Sequence, residues 1–524
     1  MISVILLNVL LFSLGINAYN ILVIYPSPRH SHQRGIMALT ETLVRQGHEL
    51  FVISPYEVPG LMNFGNYTFV DIPARGLTET TYKIMRNTQP QGSSWDAYVL
   101  LSRTAARTVK QFLSEPFTKF KNLVDSKKLK FDVAIVEAYL IPITYTMARL
   151  LGGAVPIVSM SSLNVELVEN YLGSILHPSF VPAHFASWTD KMDLKEKIQN
   201  WILYGHLSYT HENVFENTAK SFFRETYGSE IESLVDRCWT DISLLMLTSN
   251  PLYFYPRALS PNVIQVGPLH LRPPSELPKI LKDWLDGAEK GVIYFSLGSI
   301  FKTSNLSEDA TRNFLRLFKE LPPGYRVLWK WEQDGQILEQ SDNILTQKWM
   351  PQDSVLAHPN VKVFITQGGL QSFQEAVHYA VPTIGIPHRW DQSANVAKMV
   401  DAKIGVQLLL EELQEFGKVE LALKTVLYDE SYARNMRRYS AISRDFSSQA
   451  LNKAVFWVEH VAKHGGAQHL RPATADTNLF QFFCLDIISV ILVFSFALLF
   501  AIYSIFMFVA SMIFGRLNLK EKKV

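Results

Sequence analysis

Along the first half of the chain, short and predominantly apolar runs alternate with amphipathic stretches. Asn20–Tyr25, Glu49–Ser54, Phe131–Val136 and Val155–Ser159 have strand length and are rich in Val and Ile, so each predicts a strand. After the first run comes a Pro-bearing loop and then Gly35–Gly47, in which Ile36, Leu39 and Leu43 share one helical face and Gly47 ends the helix. Alternation of this kind indicates a parallel sheet covered by helices. From about Trp188 to Val235, aromatic and charged residues recur at helical spacing and predict helices. A second series follows Asn262–Pro274, a Pro-bearing stretch suited to a linker. Its strands are Gly291–Phe295, Arg326–Lys330, Val361–Thr366 and Val381–Ile386. The expected fold is therefore α/β, with two doubly wound, Rossmann-like domains facing one cleft and ligands at the carboxyl ends of the strands.

The two ends read differently. The first 18 residues are apolar and finish in a small-residue cleavage site, although they lack a positive start; they read as a signal peptide. Ile487–Phe514 runs for 28 residues without a charge, more than the roughly 20 needed to span a bilayer. Arg516, Lys520, Lys522 and Lys523 follow it, which places the short tail 515–524 in the cytosol and the bulk of the chain in the lumen. The terminal Lys520–Val524 resembles a dilysine-type retrieval signal of endoplasmic-reticulum membrane proteins, with a solvated charge cluster as the alternative.

Composition narrows the classes. Lys and Arg number 50 against 48 acidic residues, so no basic stripe argues for nucleic acid. Of the two cysteines, Cys484 borders the apolar span and Cys238 lies far before it, which rules out a disulfide framework within the chain. Asn66-Tyr67-Thr68 and Asn305-Leu306-Ser307 are candidate glycosylation sites.

The chemistry concentrates in the second half. The run Val361–Thr366 stops at Gln367-Gly368-Gly369, and Ser372 opens a helical stretch to Ala380. The first N–H groups and positive dipole end of that helix make an anion site suited to phosphate. Trp349 offers a flat face for a base, Gln352 and Glu375 can bond base or ribose hydroxyls, and Asp391-Gln392 can do the same for a sugar. Taken singly, these are a core aromatic, a turn and a Ser372-x-x-Glu375 capping box. Ser296-Leu297-Gly298-Ser299 forms a second Gly loop at a strand end.

As an ordered set, Trp349, Pro351-Gln352, His358-Pro359, Phe364–Thr366, Gly368-Gly369, Glu375-Ala376, Pro382, Pro387 and Asp391-Gln392 resemble the signature of the UDP-glycosyltransferase family. The likeness extends through Arg45–His48, Asp190–Met192, Phe295–Ser299, Gln468–Pro472 and the apolar tail, and is strongest to insect members. It implies a GT-B architecture with an acceptor-binding half at 19–260, a linker at 261–274, a UDP-sugar-binding half at 275–465, a juxtamembrane segment at 466–486 and a transmembrane helix at 487–514. By the same resemblance, Trp349 stacks on uracil, Gln352 binds uracil or ribose, Glu375 the ribose hydroxyls, Gln371 and Ser372 beside Gly369 the phosphates, and Asp391 and Gln392 the transferred sugar, with Ser296 near the nucleotide.

Transfer also needs a base. His30 and His32 both follow the first strand, and spacing alone does not choose between them. In the family the catalytic His follows a Ser and precedes the Arg45–His48-like helix end by the distance that separates His32 from His48; the resemblance thus points to His32, with Glu137 as its orienting carboxylate. Two positions depart from the family: Glu137 stands where Asp is usual, and the uncharged Gln367 stands where most relatives carry His.

The chain contains no Asp-x-Asp pair and no His or Cys cluster with ligand spacing, so neither metal nor cofactor is expected beyond the UDP-sugar co-substrate. The implied reaction is inverting transfer of a hexose, glucose rather than glucuronate, to a small lipophilic hydroxyl compound. Phe180, Phe185 and Trp188 are candidates either for that compound's pocket or for core packing. Homo-oligomerisation is left open. The departures at Gln367 and Glu137 motivate a competing class, a silent nucleotide-sugar or lipophile binder. A nicotinamide oxidoreductase would need Gly-x-Gly-x-x-Gly after the first strand, which is absent.

Overall fold

The computed structural model describes residues 18–73, 105–162, 165–299 and 301–521. The expected signal peptide, 1–18, falls almost wholly outside the described residues, as do Lys522 and Lys523 of the tail.

The first sheet contains β1 (Asn20–Ile24), β2 (Glu49–Ser54), β3 (Tyr67–Asp71), β4 (Val133–Glu137), β5 (Ile157–Ser161), β6 (Leu244–Leu247) and β7 (Val263–Gln265). All its pairs are parallel, in the order β3-β2-β1-β4-β5-β6-β7. The second contains β8 (Gly291–Ser296), β9 (Tyr325–Lys330), β10 (Ile344–Gln347), β11 (Val361–Thr366), β12 (Thr383–Gly385) and β13 (Gly405–Gln407). It is also parallel, in the order β10-β9-β8-β11-β12-β13. Both sheets are doubly wound, and their order reverses between β1 and β4 and between β8 and β11. Those switch points open crevices at the strands' carboxyl ends.

Burial follows the pleat. Leu22, Ile24, Ala134 and Val136 belong to one core cluster, whereas Ile21, Val23, Val133 and Ile135 belong to another, because successive side chains of a strand point to opposite faces. Strand β5 starts at Ile157, two residues later than the apolar run suggested, since Pro156 has no N–H to give to the ladder.

Helices α1 (His30–Arg45), α2 (Leu370–His378) and α3 (Gln392–Asp401) start at the site, and α4 (Glu430–Ser447) and α5 (Ala450–His464) follow them in the chain. Two expected boundaries change. The stretch 261–274 opens as strand β7 on the edge beside β6, because its first prolines leave Val263–Gln265 free to pair. Helix α5, placed by sequence in the second half, packs instead on the first sheet. Its apolar stripe Ala454, Val455, Val458 and Val461 is buried with Ile21, Val23, Ile36 and Leu43, and Glu459 stands 3.0 Å from Nε2 of the buried His48. An apolar stripe gains most where a sheet face still needs cover.

Residues Pro472–Val524 form a separate unit. Its main element is the helix Leu485–Glu521, within which Leu485–Ile513 is long and apolar enough to cross a membrane. This matches the expected Ile487–Phe514 to within two residues at either end.

Candidate active site

A cavity of about 520 Å³ lies where the switch points of the two sheets face each other. Ser296, Trp349, Gln352, Gln367, Gly369, Gln371, Ser372, Glu375, Asp391 and Gln392 all border it, as does His32 from the opposite side. Glu137, at the end of β4, stands behind His32.

On the second-sheet side, Trp349 is no core aromatic: it is 69% exposed, a flat indole at the cavity edge with Lys330 Nζ 5.7 Å from its ring centre. The capping-box reading also gives way. Helix α2 starts at Leu370 with extended Gly369 as its cap, so Ser372 lies inside the first turn and Glu375 one turn further. There Gln352 Nε2 donates to Glu375 Oε2 at 2.6 Å and to Ser372 Oγ at 3.0 Å.

Glu375 is fully buried, and its Oε1 accepts from Arg34 Nη1 at 2.5 Å. Burial raises its pKa, and Arg34 and Gln352 offset part of that rise. His270 Nε2 lies 3.7 Å from the same oxygen. Burial, reinforced by Arg34 and His378, keeps that imidazole well below the ordinary histidine value and so neutral.

Gly298 and Gly368 need their lack of a side chain. Both have φ near +80°, at 78° and 80°. A Cβ on Gly298 would collide with the amide of Gln367, and one on Gly368 with Val396. Gln367 therefore lies against the first of these loops and one residue before the second; its Oε1 is buried and has no hydrogen-bond partner among the described residues.

At the start of α3, Asp391 accepts from Asn395 Nδ2 at 2.7 Å. Gln392 Oε1 receives the N–H groups of His388 and Arg389, at 2.8 and 3.0 Å. Between them and the first half sits Trp390, a non-glycine residue at φ 64° whose ring lies 4.7 Å from the Arg29 guanidinium. Strain of that kind collects at binding sites.

On the first-sheet side, the segment expected to be a loop is already helix. Nothing after Pro28 breaks α1, so His32 lies in its first turn. Buried Gln33 pins the approach, donating to the carbonyls of Tyr25 and Ser27 at 2.8 and 2.7 Å. His32 Nδ1 is 3.7 Å from Glu137 Oε1 and 3.4 Å from Ser27 Oγ, while Glu137 Oε2 accepts the Ser27 N–H at 3.0 Å. His30 instead packs edge-on to Tyr56, 5.5 Å between rings, and burial together with Arg34 lowers its pKa. Geometry thus separates two histidines that spacing could not.

Of the three residues offered for either an acceptor pocket or core packing, Phe185 is buried and Trp188 packs on the core, while Phe180 is exposed; none of the three borders the main cavity. Asn66 Nδ2 donates to both Val44 O and His48 O at 2.8 Å. Asn305 is exposed. Sequence reasoning missed Arg29, Arg34, Tyr294, Lys330 and Trp390, all on the cavity wall. Trp390 adjoins the Asp391-Gln392 pair and Arg34 lies two residues from His32, but position next to a motif does not reveal which way a side chain turns. Among the described residues, no group of three His, Cys, Asp or Glu is placed to hold a metal ion.

Comparison with known proteins adds identity to this geometry. Residues 20–522 match the family described as UDP-glucoronosyl and UDP-glucosyl transferase. "UDP-glycosyltransferase UGT5" of Dactylopius coccus is 31% identical over 90% of this chain and 88% of its own. "UDP-glucosyltransferase 2" of the same organism is 29% identical, covering 91% and 90%. Among solved structures, the glycotransferase of kitacinnamycin superposes with TM-score 0.58 at 16% identity, over 85% of this chain and 99% of that one, a likeness of GT-B fold. The protein accordingly belongs to the UDP-glycosyltransferase family and is an enzyme that transfers a sugar from a UDP-sugar.

Proposed function

We propose that the protein transfers a hexose, glucose in preference to glucuronate, from its UDP-sugar to a hydroxyl of a small lipophilic acceptor, with inversion at the anomeric carbon. The observation that carries this reading is His32, at the cavity wall with Glu137 behind it, facing the Gly369–Ser372 turn across the cleft. Uracil stacks on Trp349, the ribose meets Glu375 and Gln352, the diphosphate lies at the start of α2, and the sugar reaches Asp391 and Gln392. With Nδ1 turned toward Glu137, Nε2 is the nitrogen left for the acceptor hydroxyl. As the acceptor oxygen bonds to the anomeric carbon, its proton passes to His32 and the bond to the diphosphate oxygen breaks. Glu137 stabilises the imidazolium formed, and the N–H groups of α2 stabilise the departing UDP. No step in this scheme calls on a metal. Glucose is favoured by the likeness to an insect protein named for that sugar.

The helix Leu485–Glu521 anchors the enzyme, on this reading, in the endoplasmic-reticulum membrane with the catalytic part luminal. A glycan on Asn305, removable by glycosidase, would report that orientation. The test of function is incubation of membranes bearing the protein with lipophilic phenols and alcohols and either UDP-glucose or UDP-glucuronate, read by mass spectrometry with His32→Ala as control. Glycoside from UDP-glucose, lost in the variant, is the expected result. Product from UDP-glucuronate alone overturns the sugar assignment. Measurable UDP binding without product from either donor shifts the reading to a silent binder.

A further inference from the structure

Helices α1 and α2 are joined across the cavity by two parallel rungs, and Arg34 Nη2 also lies 3.8 Å from Asp353 Oδ2. Gln371 Nε2 on α2 donates to the Ser31 carbonyl on α1, and one turn along both helices Arg34 holds Glu375. Ser31 and Arg34 are three residues apart, Gln371 and Glu375 four, so each pair shares a helix face.

The second rung blocks the role proposed for Glu375. The carboxylate has no exposed surface, being covered by Arg34 on one oxygen and Gln352 on the other. A ribose hydroxyl therefore reaches it only after one partner shifts. Gln352 is tied within its own half to Ser372 and Tyr294, whereas Arg34 comes from across the cleft and is 29% exposed.

The diphosphate site, meanwhile, lacks a fixed cation. Among the described residues, three Arg or Lys side chains border the cavity: Arg29, Arg34 and Lys330. Lys330 is committed to Gly298 O at 2.7 Å and Glu332 at 3.1 Å, and Arg29 lies over Trp390. Gln367 can donate a hydrogen bond but carries no charge. Gln371 and Glu375 are separated by about 6 Å along α2, a distance that an arginine side chain covers by changing rotamer.

We propose that Arg34 is a donor-binding residue that exchanges Glu375 for the donor's diphosphate. In doing so it uncovers the ribose carboxylate and supplies from the first half the positive charge that Gln367 cannot. This rests on the donor site as read above.

The test is calorimetric titration of the detergent-solubilised full chain with uridine and with UDP. Arg34→Met is expected to weaken UDP at least tenfold while leaving uridine unchanged or tighter. Arg34→Lys should retain part of the UDP affinity, and adding Gln367→His to Arg34→Met should restore part of it. Since Arg34→Met strands a buried carboxylate, the same comparison is made in a Glu375→Gln background, where the tenfold loss of UDP should persist. A loss that vanishes in that background, equal weakening of uridine and UDP, or no change for UDP overturns the proposal while the donor site stands. A wild-type chain that binds neither ligand overturns the donor site, and this proposal with it.

Discussion

The two sheets share one winding order, yet their carboxyl edges are furnished differently. The second sheet meets the cavity with short polar side chains on glycine turns and helix starts: Ser296, Gln367, Gly369, Gln371, Ser372. The first sheet meets it with the start of α1, which within the six residues from its cap Arg29 presents His30, His32 and finally Arg34 across the cleft. One edge is built to hold an anionic, hydroxyl-rich molecule by many weak contacts, and the other to deliver a base and a charge. The lesson is that the same scaffold divides labour by what its loops carry, so damage to each edge should leave a different kinetic trace.

The largest effect is expected from His32→Ala, which should lower kcat by about 10²–10⁴-fold with UDP affinity unchanged by calorimetry. Near-full transfer in that variant would assign the base to His30 and break the contrast between the edges.

Next in size is a pH effect at the rim of the donor side. His388 is buried against Phe301, its Nδ1 donating to Ile386 O at 2.8 Å, and burial pushes its pKa down from 6.5 to about 4. The unfolded chain takes up a proton there below pH 6.5 and the native state does not. Stability is therefore fully present above that pH and is lost as pH falls toward 4, by about 3 kcal/mol in all. Thermal unfolding at pH 7.5 and pH 4.5 should show a steep drop that His388→Gln flattens; equal drops in both proteins would remove His388 as the cause.

Trp349→Ala should act oppositely to His32→Ala. Loss of a stacking platform costs about 1–3 kcal/mol, so UDP affinity should fall between about fivefold and 150-fold, with kcat at saturating donor little altered. Unchanged UDP affinity would show that the exposed indole is not the platform. Smallest is Gln367→His, expected to preserve or tighten UDP by a few-fold. A large loss would mean that the crowded contact with Gly298, not charge, fixes the residue at this position.

Much of this was legible because the information is local. An apolar run ending in Gly-Gly and a tryptophan followed at fixed spacing by Pro-Gln mark the donor edge within some 45 residues of chain, and all nine residues drawn from it, with Ser296 from the earlier glycine loop, border the cavity. The first half carried less, because its chemistry depends on elements more than 100 residues apart: His32 meets Glu137 only when β1 pairs with β4. The hydrogen bonds of Asn66 were hidden for a related reason, since the carbonyls that engage it belong to the end of α1 and the turn beyond.

By itself, then, the sequence determined the α/β class, the two strand-helix series, the apolar C-terminal span, the family and the donor-side residues, since periodicity and turn chemistry act over a few residues. Tertiary structure alone decided that α5 returns to the first sheet, that His30 turns to Tyr56, and that Arg34 crosses the cleft to seal Glu375. Each of these depends on which surfaces remain uncovered once the sheets form, and on where a side chain of several rotatable bonds finds its opposite charge. No reading of nearest neighbours along the chain contains that.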